Sequence, residues 1–81
     1  MDKRDMSLGN KNITGVNVEA IRKQKGLKQK DLVDALAEKG VTISKSGFSK
    51  LEKRNRRVSD IEVLALADIL DVSVDELLVK K

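Results

Sequence analysis

Two short runs of helical periodicity, separated by little more than one glycine, limit what this chain can become more than any other feature. In residues 29–39, Leu32, Val33 and Leu36 fall on one apolar stripe with charge around it. Gly40 closes that run, Val41 and Ile43 anchor the link, and Ser44 is suited to cap the second run. Residues 45–53 then carry Phe48 and Leu51 three apart on one face and Lys45, Ser46, Ser49, Lys50 and Lys53 on the other. A helix, a glycine-containing turn and a second helix with such a polar face can reach phosphates or base edges when the second helix lies in a major groove.

Formal charge is divided along the chain in the same sense. Residues 45–57 hold Lys45, Lys50, Lys53, Arg54, Arg56 and Arg57 against Glu52 alone. Residues 58–79 hold Asp60, Glu62, Asp68, Asp71, Asp75 and Glu76 with no Lys or Arg. A charge run is often only a solvated face. Attached to two linked helices, it would draw a polyanion to one side and repel it from the other, so the net charge of +4 understates the local field.

At 81 residues the chain is expected to form one domain with a small core that uses every apolar helix face. It has no Cys and no His, which excludes zinc-type metal sites, disulfides and thiol or imidazole catalysis. No cofactor is expected. Reducing conditions suit such a composition, and with neither a membrane-length apolar run nor a secretion signal the expected location is cytoplasmic. Phe48 is the sole aromatic residue, too little for a base-stacking platform, so duplex DNA is favoured over single strands.

Residues 1–13 are polar, contain Gly9 and lack a sustained period; they are expected to be a flexible leader, with a DNA-touching arm through Lys3, Arg4 and Lys11 the lesser alternative. A first helix is expected over residues 15–25, with Thr14 or Asn17 as cap, Val18 and Ile21 turned inward, and Gly26 as terminator. Ser59 with Glu62, and Ser73 with Glu76, are two capping boxes that start helices at 60–70 and 74–78. Val63, Leu66, Ala67 and Leu70 make the core stripe of the longer one. Its further apolar residues imply burial on several sides or, through Ile61 and Leu64 with Leu77, Leu78 and Val79, a surface for a second copy or another protein. Without Pro or strand-like alternation, the reading is an all-α, compact five-helix bundle over residues 14–79, with 80–81 as a tail.

The run from Arg22 through Gly26 to Gln29, then Leu32-Val33, Phe48-Ser49-Lys50-Leu51-Glu52, Leu66-Ala67 and Val72 to Leu78, resembles the Cro/phage-repressor type of helix-turn-helix domain, the Xre family. The resemblance implies a lambda-repressor-like fold. It also implies that Gln29 seats the recognition helix on a backbone phosphate, with a plain first-turn helix residue the lesser alternative. Lys45, Ser46, Ser49 and Lys50 would face bases; Lys53, Arg54, Arg56 and Arg57 would meet phosphate, positioning without specifying sequence. Glu52 matches an acid that is usually structural. Three departures stand out: the link between the two helices is longer than the shortest family version, Val33 replaces a common Ala, and Gly47 lies inside the recognition helix. The glycine costs roughly 1 kcal/mol of helix propensity, which implies either a helix that tightens on DNA or a closely approached backbone.

The carboxylates lie on capping boxes and solvent faces with no matched base, so no enzyme is expected. The expected function is sequence-specific duplex binding as a small transcriptional regulator. A repressor is expected because no further domain is present to contact polymerase, and binding is expected as a homodimer, at least on DNA, at a two-fold symmetric operator. The alternative is a protein-binding adaptor or antitoxin that uses Ile61, Leu64, Leu78 and the acidic helices.

Overall fold

The computed structural model describes residues 13–79. Its helices are α1 (Thr14–Gln24), α2 (Gln29–Glu38), α3 (Lys45–Glu52), α4 (Asp60–Leu70) and α5 (Val74–Leu78), with no strand among the described residues. This is the all-α, five-helix architecture that the periodicity predicts, and each helix begins and ends within one residue of its expected bounds. Apart from Ile13, the expected leader lies outside the described residues, as does the expected tail.

Four of the five helices stop by one device. The amides of Leu27, Val41, Asn55 and Val72 donate back to the carbonyls of Arg22, Leu36, Lys50 and Ala67 at 2.8–3.0 Å. That reversal needs a left-handed residue just before the donor. Gly26 and Gly40 supply it with φ of 71° and 82°, and Arg54 and Asp71 adopt it with φ of 66° and 59°. The helix starts are equally chemical. Ser44 Oγ accepts from the Gly47 N–H at 2.9 Å, and both Ser59–Glu62 and Ser73–Glu76 form reciprocal capping boxes.

The start of α1 differs from expectation. Its N-cap is Ile13, which makes no side-chain cap bond, and both Thr14 and Asn17 are buried within the helix. Asn17 instead donates through Nδ2 to the carbonyls of Leu77 and Val79, each at 2.8 Å. α5 has five residues, too few to hold a helix by backbone bonding alone, so this amide together with buried Leu77 is what docks it on α1.

Phe48 of α3 is fully buried among Val18, Leu32, Leu36, Leu51, Leu66, Leu70 and Leu77, so all five helices contribute to one core. α4 buries Val63, Leu66, Ala67 and Leu70 as its stripe predicts. Its other apolar residues divide. Ala65 and Ile69 are half-buried, whereas Ile61 and Leu64 are each 60% exposed. No helix among the described residues is long and apolar enough to cross a membrane.

Replacing Asn17 by Ala removes both donors to the α5 segment and leaves a buried carbonyl unpaired. Urea unfolding of Asn17→Ala is expected to show a loss of about 1–3 kcal/mol, with the exposed amides of α5 losing hydrogen-exchange protection first.

Candidate nucleic-acid interface

The outward face of α3 is set from inside the molecule. Val18 and Arg22 lie four apart on the buried face of α1, and Phe48 and Glu52 lie four apart on the buried face of α3. The two charged members meet: Arg22 Nε and Nη2 donate to Glu52 Oε2 and Oε1 at 2.7 and 3.0 Å, a two-point fork. Arg22 Nη1 also donates to the Leu27 carbonyl at 2.8 Å. The Glu52 side chain is only 1% exposed. Gln29, the first residue of α2, donates its Nε2 to Glu52 Oε1 at 2.8 Å. The hydrogen bond to Glu52 holds the Arg22 guanidinium above its usual range despite burial that works against the charge.

With Phe48, Leu51 and Glu52 inward, Lys45, Ser46 and Lys50 are exposed together and Ser49 is half-buried at their margin. All four expected base readers therefore share one helix. Ser46 Oγ lies 3.3 Å from Ser44 Oγ, beside the helix cap. α3 is regular through Gly47, and the close approach there is internal. A Cβ at this position would stand 3.0 Å from Ser44 Oγ and 3.3 Å from Ile43 Cγ2, pressing on the oxygen that caps the helix. The glycine, inside α3, thus leaves room for the cap and for Ile43 of the preceding link.

The expected phosphate contacts are placed less uniformly. Lys53 and Arg57 are exposed, and Arg54 is half-buried at its left-handed position. Arg56 is half-buried, and its two terminal nitrogens donate to the Glu62 carboxylate at 3.1 and 3.3 Å. Burial pushes the Glu62 carboxyl up, yet the Arg56 fork and the Ser59 amide leave it below the ordinary carboxylate range. Gln29 is half-buried and commits one amide N–H to Glu52.

On the far side of α4, Ile61, Leu64 and Leu78 border an open groove of about 510 Å³, with Val58, Val63 and Val74 also lining it. A second hollow of about 540 Å³ shares Ile61 and Leu64 and is rimmed by the Lys39–Asp68 ion pair. Of the expected partner surface, Ile61, Leu64, Leu78 and Val79 are exposed, Leu78 at 45%, whereas Leu77 turns into the core and is no part of it.

Sequence reasoning gave Arg22 and Asn17 no partner role, and read Glu52 as structural only through the family resemblance. The signal was present in the spacing: an arginine four residues after Val18 and a glutamate four after Phe48 are charges on core stripes, which must find each other.

The model of the Cro/C1-type helix-turn-helix family matches residues 18–77, so the chain belongs to that family. Solved structures similar to it include the following two. The restriction-modification controller protein C.AhdI from Aeromonas hydrophila is 29% identical, with a TM-score of 0.69 over 85% of this chain and 97% of that one. The DNA-binding domain of BldD is 27% identical, with a TM-score of 0.68 over 91% of this chain and all of that domain. No curated protein matches the chain.

Removing one member of a buried pair strands the other. Arg22→Met alone is expected to cost about 3–5 kcal/mol, whereas Arg22→Met combined with Glu52→Leu should cost less than that single change. Chemical denaturation of the three proteins tests this, and strictly additive losses would contradict it.

Proposed function

We propose that this protein binds duplex DNA sequence-specifically as a small transcriptional regulator, with α3 in the major groove. The observation that carries the reading is the geometry of α3: one face is locked to α1 and α2 through Glu52, and the opposite face presents Lys45, Ser46 and Lys50 directly before the basic loop. Lys45, Ser46, Ser49 and Lys50 are the base-facing residues. Lysine donates to guanine O6 and N7, and serine pairs with either edge type, so guanine-containing half-sites are favoured. Lys53, Arg54 and Arg57, with the remaining amide N–H of Gln29, meet phosphates.

An eight-residue helix touches too few base pairs to define a site alone, which favours two copies on half-sites about one helical turn apart. The exposed Ile61, Leu64 and Leu78 are the apolar surface available to join them. Occlusion of promoter DNA by such a dimer is the simplest regulatory outcome, hence repression. A second reading rests on the same groove: a different protein occupies it, as in an adaptor or an antitoxin. A duplex ligand and a chain without Cys both suit action in the cytoplasm.

Selection from a random duplex library near physiological salt tests the proposal. A two-fold symmetric motif is expected; a folded protein that enriches nothing would refute it. On the selected site, Lys50→Ala is expected to cost about 1–3 kcal/mol and relax preference at one position. Arg57→Ala should weaken all sequences alike and reduce the salt slope by about one.

A further inference from the structure

The loop between α3 and α4 carries four cations, but the structure treats them differently. Its first turn is closed by Arg54 N–H to Leu51 O at 3.1 Å and Asn55 N–H to Lys50 O at 2.8 Å. Its last residue, Ser59, is closed by the capping box with Glu62. Between those closures the backbone has no regular structure, and the side chain that spans the gap is Arg56, forked onto Glu62. Glu62 Oε1 thus accepts from both the Ser59 N–H at 3.0 Å and Arg56 Nη1. One carboxylate fixes the start of α4 and the middle of the loop together.

We propose that Arg56 is a positioning residue: forked on Glu62, it holds the loop so that its exposed neighbours Lys53 and Arg57 are presented to phosphate before DNA arrives. This rests on the duplex-binding reading above. Glu62, a largely buried carboxylate, holds both terminal nitrogens of Arg56, so the guanidinium is tied to α4 by two charge-assisted bonds that a phosphate contact would have to break or share. The gain is preorganisation. A loop ordered beforehand does not lose backbone freedom at the moment of binding.

Simple electrostatics and positioning give opposite signs for one substitution. Glu62→Gln keeps an oxygen to accept the Ser59 N–H but removes a negative charge and weakens the fork. If Arg56 were a phosphate contact, freeing it and deleting an acid would tighten binding. If it positions the loop, binding should weaken.

The test is fluorescence anisotropy on a mixed-sequence duplex of about two helical turns, across a salt series, for the wild type, Glu62→Gln, Arg56→Lys and the double variant. Each single variant is expected to lose roughly five- to thirtyfold in affinity, the increment of about one residue's ordering. The double variant should lose no more than either single one, and the log–log salt slope should not change. Arg56→Lys preserves the charge without the planar fork, so it carries the test if Glu62→Gln fails to fold. The proposal is overturned if Glu62→Gln binds as well as or better than the wild type with a slope steeper by about 0.9, or if Arg56→Lys keeps full affinity. A wild type that does not bind the duplex overturns the DNA reading itself, and this inference with it; wild-type binding with tighter Glu62→Gln overturns this inference alone.

Discussion

The buried contact between Arg22 and Glu52 is the constraint on which the rest of the interface depends. α3 has eight residues, below the length at which a helix persists on backbone bonding alone, so its stability and its rotation both come from tertiary contacts. Phe48 and Leu51 supply burial, but apolar contacts have little directional preference and would tolerate some roll about the helix axis. A planar guanidinium donating to both carboxylate oxygens does not. Ionic burial carries a desolvation cost, and here it is offset because the polar atoms are matched. Arg22 also donates to the Leu27 carbonyl, and Glu52 takes a further bond from Gln29. The contact therefore selects which residues of α3 face outward.

That same contact shows where sequence reading reaches its limit. Helix positions came from periodicity and from local chemistry that sits next to itself in the chain: Ser59 with Glu62, Ser73 with Glu76, Gly26 and Gly40. Pairings between distant residues did not. Asn17 looks like a cap by type, and only the arrival of α5 some sixty residues later turns its amide into a latch. Arg54 and Asp71 end helices as Gly26 and Gly40 do, yet arginine does not announce a left-handed backbone and aspartate does so only weakly. For the candidate site, the polar face of α3 was legible because helical spacing fixes it once Phe48 and Leu51 are inward. The division among the loop cations was not, since Arg56 and Arg57 are adjacent and chemically identical, and only the position of Glu62 separates them.

Charge is organised at the level of the whole domain as well as the pair. The basic residues of α3 and its following loop stand against α4 and α5, which among residues 58–79 carry acids without a single Lys or Arg. Where the two regions adjoin, they are joined by Arg56 to Glu62, while Lys39 to Asp68 ties the end of α2 to α4. A polyanion approaching this molecule meets a dipolar surface that favours one orientation. The apolar groove lies between Ile61, Leu64 and Leu78 on the acidic helices, and none of its lining residues is a Lys or Arg.

Arg54 shows that the loop does not simply minimise its own energy. A left-handed backbone costs a residue with a Cβ roughly 1–2 kcal/mol, and the equivalent turns after α1 and α2 avoid that cost with Gly26 and Gly40. A cation just beyond the end of α3 also lies near the negative pole of the helix, where positive charge is favoured. Asp71 occupies the same position after α4, where a carboxylate at a helix C-terminus gains nothing from that field. The two ends thus match the charge of the regions they belong to, basic beside α3 and acidic beside α4, even where local helix electrostatics would favour the opposite at Asp71. At both helix ends the sign of charge thus follows the side of the domain on which the residue lies.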